Sequence, residues 1–427
     1  MKPSRYNFVC RTDEHVTLYN ALSGCVLTVP FRFQSENELV AAADLRAALQ
    51  RGGFWVDDEE DELRNVLARH DSAVLDNGRL SLTILASRDC NLRCSYCYEK
   101  HSPVHLTEEL CEDIYRYFAR CSFKQLNICW FGGEPLLAFD RIVSLSSRVK
   151  ALAHSKGAIY DSNIITNGTL LDTRKFRDLL GSGIGHFQVS LDGFEADNDR
   201  RRMSLCGDSP FRRILSNLEA TKQVEGMFRF VIRVHADKLN FADLPKFFDF
   251  LEDRFGDDNR FRAYARAIRS DDTSDKCRCF THREWLQAYS EVIRGRSSFI
   301  LDSVGIPTPR DYWCPVQLNC YFLISPDRHI YKCDLLLQPE NAIGRFDPNG
   351  PVFFENRLSR WRNANDLGEA CIQCKFLPIC LGGCKRFRLE QVNECPYNHG
   401  YVHRCIESYS ADYGRTADFC HSSSHTR

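Results

Sequence analysis

A chain of 427 residues with 43% hydrophobic and 26% charged residues has the makeup of a globular protein of two or three domains. Its net charge of −1 makes no electrostatic case for nucleic acid or an anionic membrane as partner, and no stretch is long and apolar enough to span a bilayer. The N-terminus lacks an apolar signal region, so the 21 cysteines are expected in a reducing cytoplasm, where an odd count argues for metal ligands over a disulfide framework.

Residues 1–78 are predicted to form an N-terminal module. Short strands fall over 6–10, 16–19 and 25–29, and amphipathic helices over 38–50 and 61–68. Between the helices, Phe54, Trp55 and Val56 read as an apolar plug. Residues 79–296 then alternate. Strands are predicted over 82–86, 126–130, 162–166, 187–191, 228–235 and 261–265, and helices over 106–121, 136–152, 173–180, 211–223, 244–251 and 282–292. Six such βα units predict an α/β fold, a parallel sheet curled into a partial barrel, with its site at the C-terminal strand ends. The basic run Arg200, Arg201, Arg202, Arg212 and Arg213 reads as a solvated helix face with one or two binding arginines. From 297 to 410 cysteine density rises and helical periodicity fades, and the polar 411–427 is expected to be disordered.

Cys90, Cys94 and Cys97 form a C-x3-C-x2-C loop between the first predicted strand of the barrel and its first helix. Three thiolates can hold three irons of a cubane cluster and leave the fourth iron open to a small molecule. A zinc site or buried thiols is the plain alternative. The loop in this setting resembles the radical S-adenosylmethionine (SAM) enzymes. That resemblance implies a SAM-binding 4Fe–4S cluster and a 5′-deoxyadenosyl radical that abstracts a substrate hydrogen. Gly132, Gly133, Glu134 and Pro135 match the family's GGEP motif, which holds the SAM ammonium. By the same resemblance Asn167 stands in a strand-end turn, Ser190 near the SAM ribose, and Asp192 near substrate or the cavity wall. Tyr98 is implied against adenine, and Arg202 for the SAM carboxylate, which its planar fork suits. The family's usual His-Asp pair is Asn198 and Asp199 in this chain.

Cys371, Cys374, Cys380 and Cys384 form a second array, with Cys314, Cys320 and Cys333 upstream and Cys405 downstream. A zinc ribbon is one reading of eight such thiols. The spacing C-x2-C-x5-C-x3-C resembles the SPASM domain, which carries two auxiliary 4Fe–4S clusters. The resemblance implies one cluster on Cys314, Cys320, Cys333 and Cys384 and another on Cys371, Cys374, Cys380 and Cys405, with Cys395 a rival for Cys405. Arg328 stands where that domain has a turn glycine, so a different turn is expected. Asp334, directly after Cys333, matches a proton-accepting aspartate of the sulfatase maturases; a turn cap is its bland reading. Cys10, Cys25, Cys111, Cys121, Cys129, Cys206, Cys277, Cys279 and Cys420 read as core residues or idle thiols.

The resemblances together imply a radical SAM/SPASM maturase that oxidises a side chain of a ribosomally made peptide to a thioether or carbon–carbon cross-link. Strands followed by helices resemble a winged-helix fold, and in many such enzymes that module grips a leader peptide along a strand edge; a purely structural cap is the alternative. An electron donor such as flavodoxin or ferredoxin is implied. An anaerobic sulfatase maturase, oxidising Cys or Ser to formylglycine, is the rival enzyme. A non-catalytic iron–sulfur electron carrier or peptide-binding protein is the rival of another class.

Overall fold

The computed structural model describes residues 1–11, 13, 15–30, 43–268, 278–301, 306–363, 367–391, 395, 402–403 and 405–406. Among them no helix is long and apolar enough to cross a membrane. The chain forms two compact units, one of 1–76, 304–319 and 360–427, the other of 77–303 and 320–359. The region expected as one cysteine-rich domain over 297–410 is therefore divided between the two. The tail 411–427, Cys277 and Cys420 lie outside the described residues, as does part of the helix expected over 38–50.

In the first unit β1 (Lys2–Pro3) precedes a meander of β2 (Asn7–Arg11), β3 (His15–Asn20) and β4 (Val26–Pro30), paired antiparallel in that order. Helix α1 (Ala43–Arg51), strand β5 (Trp55–Val56), which pairs with β1, and helix α2 (Glu62–Val74) follow. Val16, Leu18, Leu27 and Val29 of the meander close on Leu49 and the expected plug residue Phe54. Strand β3 is buried along almost its whole length rather than on alternate residues, so both faces of the meander are covered. The later segments of the same unit supply the second cover. Phe8 meets Phe376 at 5.0 Å between ring centres, Lys375 Nζ donates to Asn7 O at 3.2 Å, and Tyr19 OH donates to Pro307 O at 2.5 Å. Asp61 caps α2 by accepting from Arg64 N, and the buried Glu62 accepts from Ser4 Oγ and Arg5 N.

The second unit is built on β6 (Arg79–Ser87), β8 (Gln125–Gly132), β9 (Ile159–Thr166), β10 (His186–Ser190), β12 (Arg229–Ala236) and β13 (Phe261–Ala267), all parallel neighbours. A short ribbon, β7 (Leu92–Cys94) with β11 (Arg202–Ser204), stands apart from them. Alternation decides which face is which: Leu126, Ile128 and Trp130 of β8 are buried, while Asn127, Cys129 and Phe131 are half-buried on the opposite face. Helix α3 (Glu108–Arg120) shows how the crossovers are fixed. Thr107 caps it, Glu108 and Glu109 favour its positive end, and Leu110, Ile114 and Phe118 form its buried stripe.

The sheet continues past β6 on its other side. Strand β14 (Tyr321–Ile324) pairs parallel to β6, and β15 (His329–Tyr331), β16 (Gly344–Asp347) and β17 (Gly350–Phe353) follow antiparallel, completing ten strands. The different turn expected at Arg328 is not what forms. Arg328 has φ of 67°, the left-handed conformation a glycine would take there. Such a residue costs about 1–2 kcal/mol. Arg328 Nη1 reaches the buried Asp113 Oδ2 at 2.7 Å and Phe346 O at 3.0 Å, contacts a glycine could not make.

Candidate active site

The cluster loop hangs from the C-terminal end of β6 and is held on three sides. The ribbon holds one: Cys94 pairs with Arg202, Leu92 with Ser204, and Ser95 N donates to Arg201 O at 2.8 Å. The end of β8 holds another. Gly133 N donates to Ser87 O at 3.0 Å and Glu134 N to Asp89 O at 2.8 Å. A Cβ on Gly132 would lie 2.1 Å from Ser87 O, and one on Gly133 2.5 Å from Asp89 O, so only glycine admits this approach. The turn after β9 holds the third. Asn167 Nδ2 donates to Asn91 Oδ1 at 2.8 Å and lies 3.7 Å from Cys90 Sγ, while Asn91 Nδ2 donates to Thr169 Oγ1 at 2.8 Å.

Glu134 is fully buried and accepts from Thr166 Oγ1 at 2.7 Å, Asn167 N at 2.7 Å and Leu136 N at 2.9 Å, which ties the ends of β8 and β9 together. Pro135 opens the short helix Pro135–Ala138, where its missing N–H costs nothing. Ser190 ends β10, buried and in register with Arg233 of β12.

Asp192 is the centre of a buried polar network. Tyr96, inside the cysteine motif, donates its hydroxyl to Asp192 Oδ2 and accepts from Arg202 Nη1 at 2.8 Å. His235, at the end of β12, approaches Asp192 Oδ1 with its backbone N at 2.9 Å and its Nδ1 at 3.0 Å. Asn198 Oδ1 accepts from Asp192 N at 3.1 Å, so the residue replacing the family's histidine serves as a brace. Burial raises the Asp192 carboxyl, but His235 and Arg202 outweigh it and hold it well below the usual range. Burial, then the Arg233 charge, lowers His235 to about 4, while the Asp192 carboxylate beside its Nδ1 acts in the opposite direction.

Burial lifts the Cys90 thiol to about 12 and Cys97 to about 11, and raises Cys94 as well. Thiolates at this depth need a positive partner, which iron provides. Among the described residues no three His, Cys, Asp or Glu side chains converge on one metal ion. A cubane accepts its thiolates at separate corners, whereas zinc needs them on one centre. Beside the loop, Arg201 and Arg202 are each 4% exposed, and Arg202 Nε and Arg201 Nε and Nη2 have no hydrogen-bond partner. Buried guanidinium donors left over next to three thiols suit an anionic ligand, and the donor set fits an iron–sulfur cluster with SAM. Arg200, Arg212 and Arg213 are exposed, the last two paired with Glu195 and Asp208.

Tyr98 and Asp334 line one cavity of about 140 Å³, together with Glu99. Burial, then the Asp334 charge, raises Tyr98 well above its ordinary value and lifts Glu99 to about 7. In the other unit, burial lifts Cys380 to about 12, and the nearby Cys395, Cys371 and Cys374 thiols add to that rise. Arg388 Nη2 approaches Cys371 Sγ at 3.2 Å, and Phe376 N donates to Cys374 Sγ at 3.4 Å. Cys314, Cys384 and Cys405 belong to this unit, and Cys320 and Cys333 to the barrel unit. Sequence reasoning missed Tyr96, Glu99 and His235, and it placed Arg201 and Arg202 in a run read as a solvated helix face, whereas both are buried. For Tyr96 and Glu99 the available signal was their place in and beside the cysteine motif, and for His235 its strand end.

Residues 84–251 match the Radical SAM superfamily. The serine-type anaerobic sulfatase-maturating enzyme of Klebsiella aerogenes is 27% identical over 69% of this chain and 76% of its own length. The cysteine-type enzyme of Clostridium perfringens strain 13 is 23% identical over 72% and 90%. Among solved structures, anSMEcpe with bound AdoMet and Cp18Cys peptide aligns at TM-score 0.55 and 18% identity, over 79% of this chain and 97% of its own. Streptococcus suis SuiB bound to precursor peptide SuiA aligns at TM-score 0.56 and 15% identity, over 92% and 97%. The three-thiol loop braced by the Gly132-Gly133-Glu134 strand end lies within the residues that match the Radical SAM superfamily, and the sulfatase-maturating relatives and the two solved structures together support a radical SAM maturase.

Proposed function

We propose that the enzyme oxidises a side chain of a ribosomally made peptide, forming a thioether or carbon–carbon cross-link. The observation that carries this reading is the cavity uniting Tyr98 and Glu99, next to the cluster loop, with Asp334. Cys90, Cys94 and Cys97 would hold the first 4Fe–4S cluster. Gly132, Gly133, Glu134, Pro135, Asn167, Ser190 and Arg202 would line the SAM site, with Tyr98 against the adenine. Bound there, cluster and SAM supply the hydrogen-abstracting 5′-deoxyadenosyl radical of the family. Arg202, whose guanidinium is fixed by Asp192 and Tyr96, would offer its spare Nε–H to the SAM carboxylate. Asp334 would accept the proton released as the side chain is oxidised, and the remaining electron would pass to an auxiliary cluster. The C-terminal cysteines would hold two auxiliary clusters, with Cys395 or Cys405 completing the set of Cys371, Cys374 and Cys380. A flavodoxin or ferredoxin would deliver electrons, and the N-terminal strands would take an extended leader along an edge.

The coverage of SuiB, 92% of this chain against 79% for anSMEcpe, supports the peptide reading over the sulfatase one. The sulfatase reading has its own support in the Klebsiella and Clostridium relatives. The test uses anaerobically reconstituted enzyme, precursors encoded beside its gene, and a sulfatase peptide. A precursor losing two hydrogen masses only when its leader is attached supports the proposal. Formylglycine, trapped with hydrazine from the sulfatase peptide alone, overturns it in favour of the second reading. Asp334→Asn should keep its iron and slow product formation about a hundredfold, the scale of a lost general base; normal turnover would reduce Asp334 to a turn residue.

A further inference from the structure

In the first unit, single side chains run the N-terminal segment along the turn that carries Cys371 and Cys374. Arg5 Nη2 donates to Ile372 O at 3.0 Å and Gln373 Oε1 at 3.4 Å, and Lys375 Nζ donates to Asn7 O at 3.2 Å. The Phe8 ring meets Phe376 at 5.0 Å. Residues 5, 7 and 8 thus touch 372–373, 375 and 376 in matching order, which sets Tyr6 opposite Cys374. The Cys374 charge accordingly acts on the Tyr6 phenol. Tyr6 is fully buried, and among the described residues its hydroxyl has no hydrogen-bond partner. Tyr19, equally buried in the same unit, shows what such a hydroxyl ordinarily finds, since it donates to Pro307 O. A buried hydroxyl without a partner is costly, and an acceptor bound beside it removes that cost. Other donors around this cysteine pair already point at sulfur: Phe376 N donates to Cys374 Sγ at 3.4 Å, and Arg388 Nη2 approaches Cys371 Sγ at 3.2 Å. The sulfurs of an iron–sulfur cluster accept several such bonds, and each favours the reduced, more negative form.

We infer that the Tyr6 hydroxyl donates to a sulfur of the auxiliary cluster on Cys371, Cys374 and Cys380 and raises the reduction potential of that cluster. Tyr6 ligates no iron, so it tunes the cluster rather than holds it. The inference rests on the auxiliary-cluster reading of the C-terminal cysteines, and it makes the N-terminal segment part of that redox centre.

The test is a potentiometric titration, read by electron paramagnetic resonance, of the anaerobically reconstituted full chain as wild type, Tyr6→Phe and Tyr19→Phe. The variant with Cys374 and Cys380 changed to alanine identifies the wave of this cluster by its loss. In Tyr6→Phe that wave should move to lower potential. The ratio of reduced to oxidised cluster at the wild-type midpoint should fall about tenfold, which is about 59 mV for one electron. The other waves and the iron content should not change. Tyr19→Phe removes a hydroxyl that already has its partner, so it should lower the unfolding temperature and leave every wave in place. A stationary wave in Tyr6→Phe, the result a buried water on the hydroxyl would give, overturns the inference. An equal shift in Tyr19→Phe overturns it as well, because general loosening would then be the cause. So does a loss of about four irons from Tyr6→Phe, which would make Tyr6 a requirement for assembly. Failure of the underlying reading looks different: a wild-type chain with about four irons and a single wave holds no auxiliary cluster, and the inference falls with it.

Discussion

Cys90, Cys94 and Cys97 stand on a loop held by regular structure on three sides, whereas Cys371, Cys374, Cys380 and Cys384 stand on or beside helices of four or five residues. Backbone bonds from Ser87, Asp89 and Arg201 and the ribbon pairing of Cys94 fix the first set. The second lies along Glu369–Ile372, Leu377–Cys380 and Lys385–Leu389, each too short to be stable alone. Between Cys380 and Cys384 the backbone takes positive φ three times in succession, at Leu381, Gly382 and Gly383. In the barrel the fold organises the cysteines before any ligand arrives. The C-terminal segment lacks such bracing, so its order is expected to depend on bound metal as in small metal-stapled domains.

Removing the thiols of each region tests this contrast most severely. The variant with Cys90, Cys94 and Cys97 all changed to alanine should lose every trace of SAM cleavage and about four irons per chain. Its circular dichroism and unfolding temperature should stay near those of the wild type. A collapsed fold would mean that the barrel loop also needs its metal. Replacing Cys374 and Cys380 by alanine should do the reverse. SAM cleavage should persist, while limited proteolysis should open the chain within 360–391. Resistance to protease there would end the contrast.

Gly132→Ala probes the fold's grip on the loop without touching a thiol. Its Cβ would lie 2.1 Å from Ser87 O at a backbone φ of 126°. A loss of about 3 kcal/mol in unfolding free energy is expected, with weakened SAM binding measured by equilibrium dialysis. Unchanged stability would show that β8 and the loop yield easily.

The smallest effect concerns His70, which anchors α2 to the C-terminal segments by its Nδ1, 2.9 Å from Asp311 O. Burial, more than any other cause, lowers its pKa below the ordinary value near 6.5. The unfolded chain therefore binds a proton on this residue before the folded chain does. Stability contributed here is complete above about pH 6.5 and falls as pH drops toward the folded value. The unfolding temperature should decline on acidification through that window, and His70→Asn should flatten the slope. An unaltered slope would remove His70 from the account.

Much of the barrel was legible because its signals are local. The strand and helix runs such as 126–130 and 106–121, and the cysteine and glycine spacings, all lie within short windows. Glu134 was legible as important, but its bonds to Thr166 and Asn167 depend on how two strand ends meet. The network of Tyr96, Asp192, Arg202 and His235 was hidden for the same reason, since its members come from four separate segments. Arg328 misled because a missing glycine suggests a missing left-handed turn. The compensating partner, Asp113, lies far away in sequence. Likewise, nothing in Tyr321–Ile324 announces that it pairs with β6 rather than only with its hairpin partner.

That last pairing sets a clock on biosynthesis. Ser81 waits for Tyr321, and Ile84 for Ile324, before β6 has a neighbour on that side. As the ribosome works through the intervening residues, a strand ending at the cluster loop stays open along one edge. Such an edge accepts any extended chain, its own or a neighbour's. Contacts so distant in sequence also form slowly. Fragments that stop short of 321–324 should therefore aggregate even though they contain the whole cysteine loop, and expression yield becomes a property of the last third of the chain.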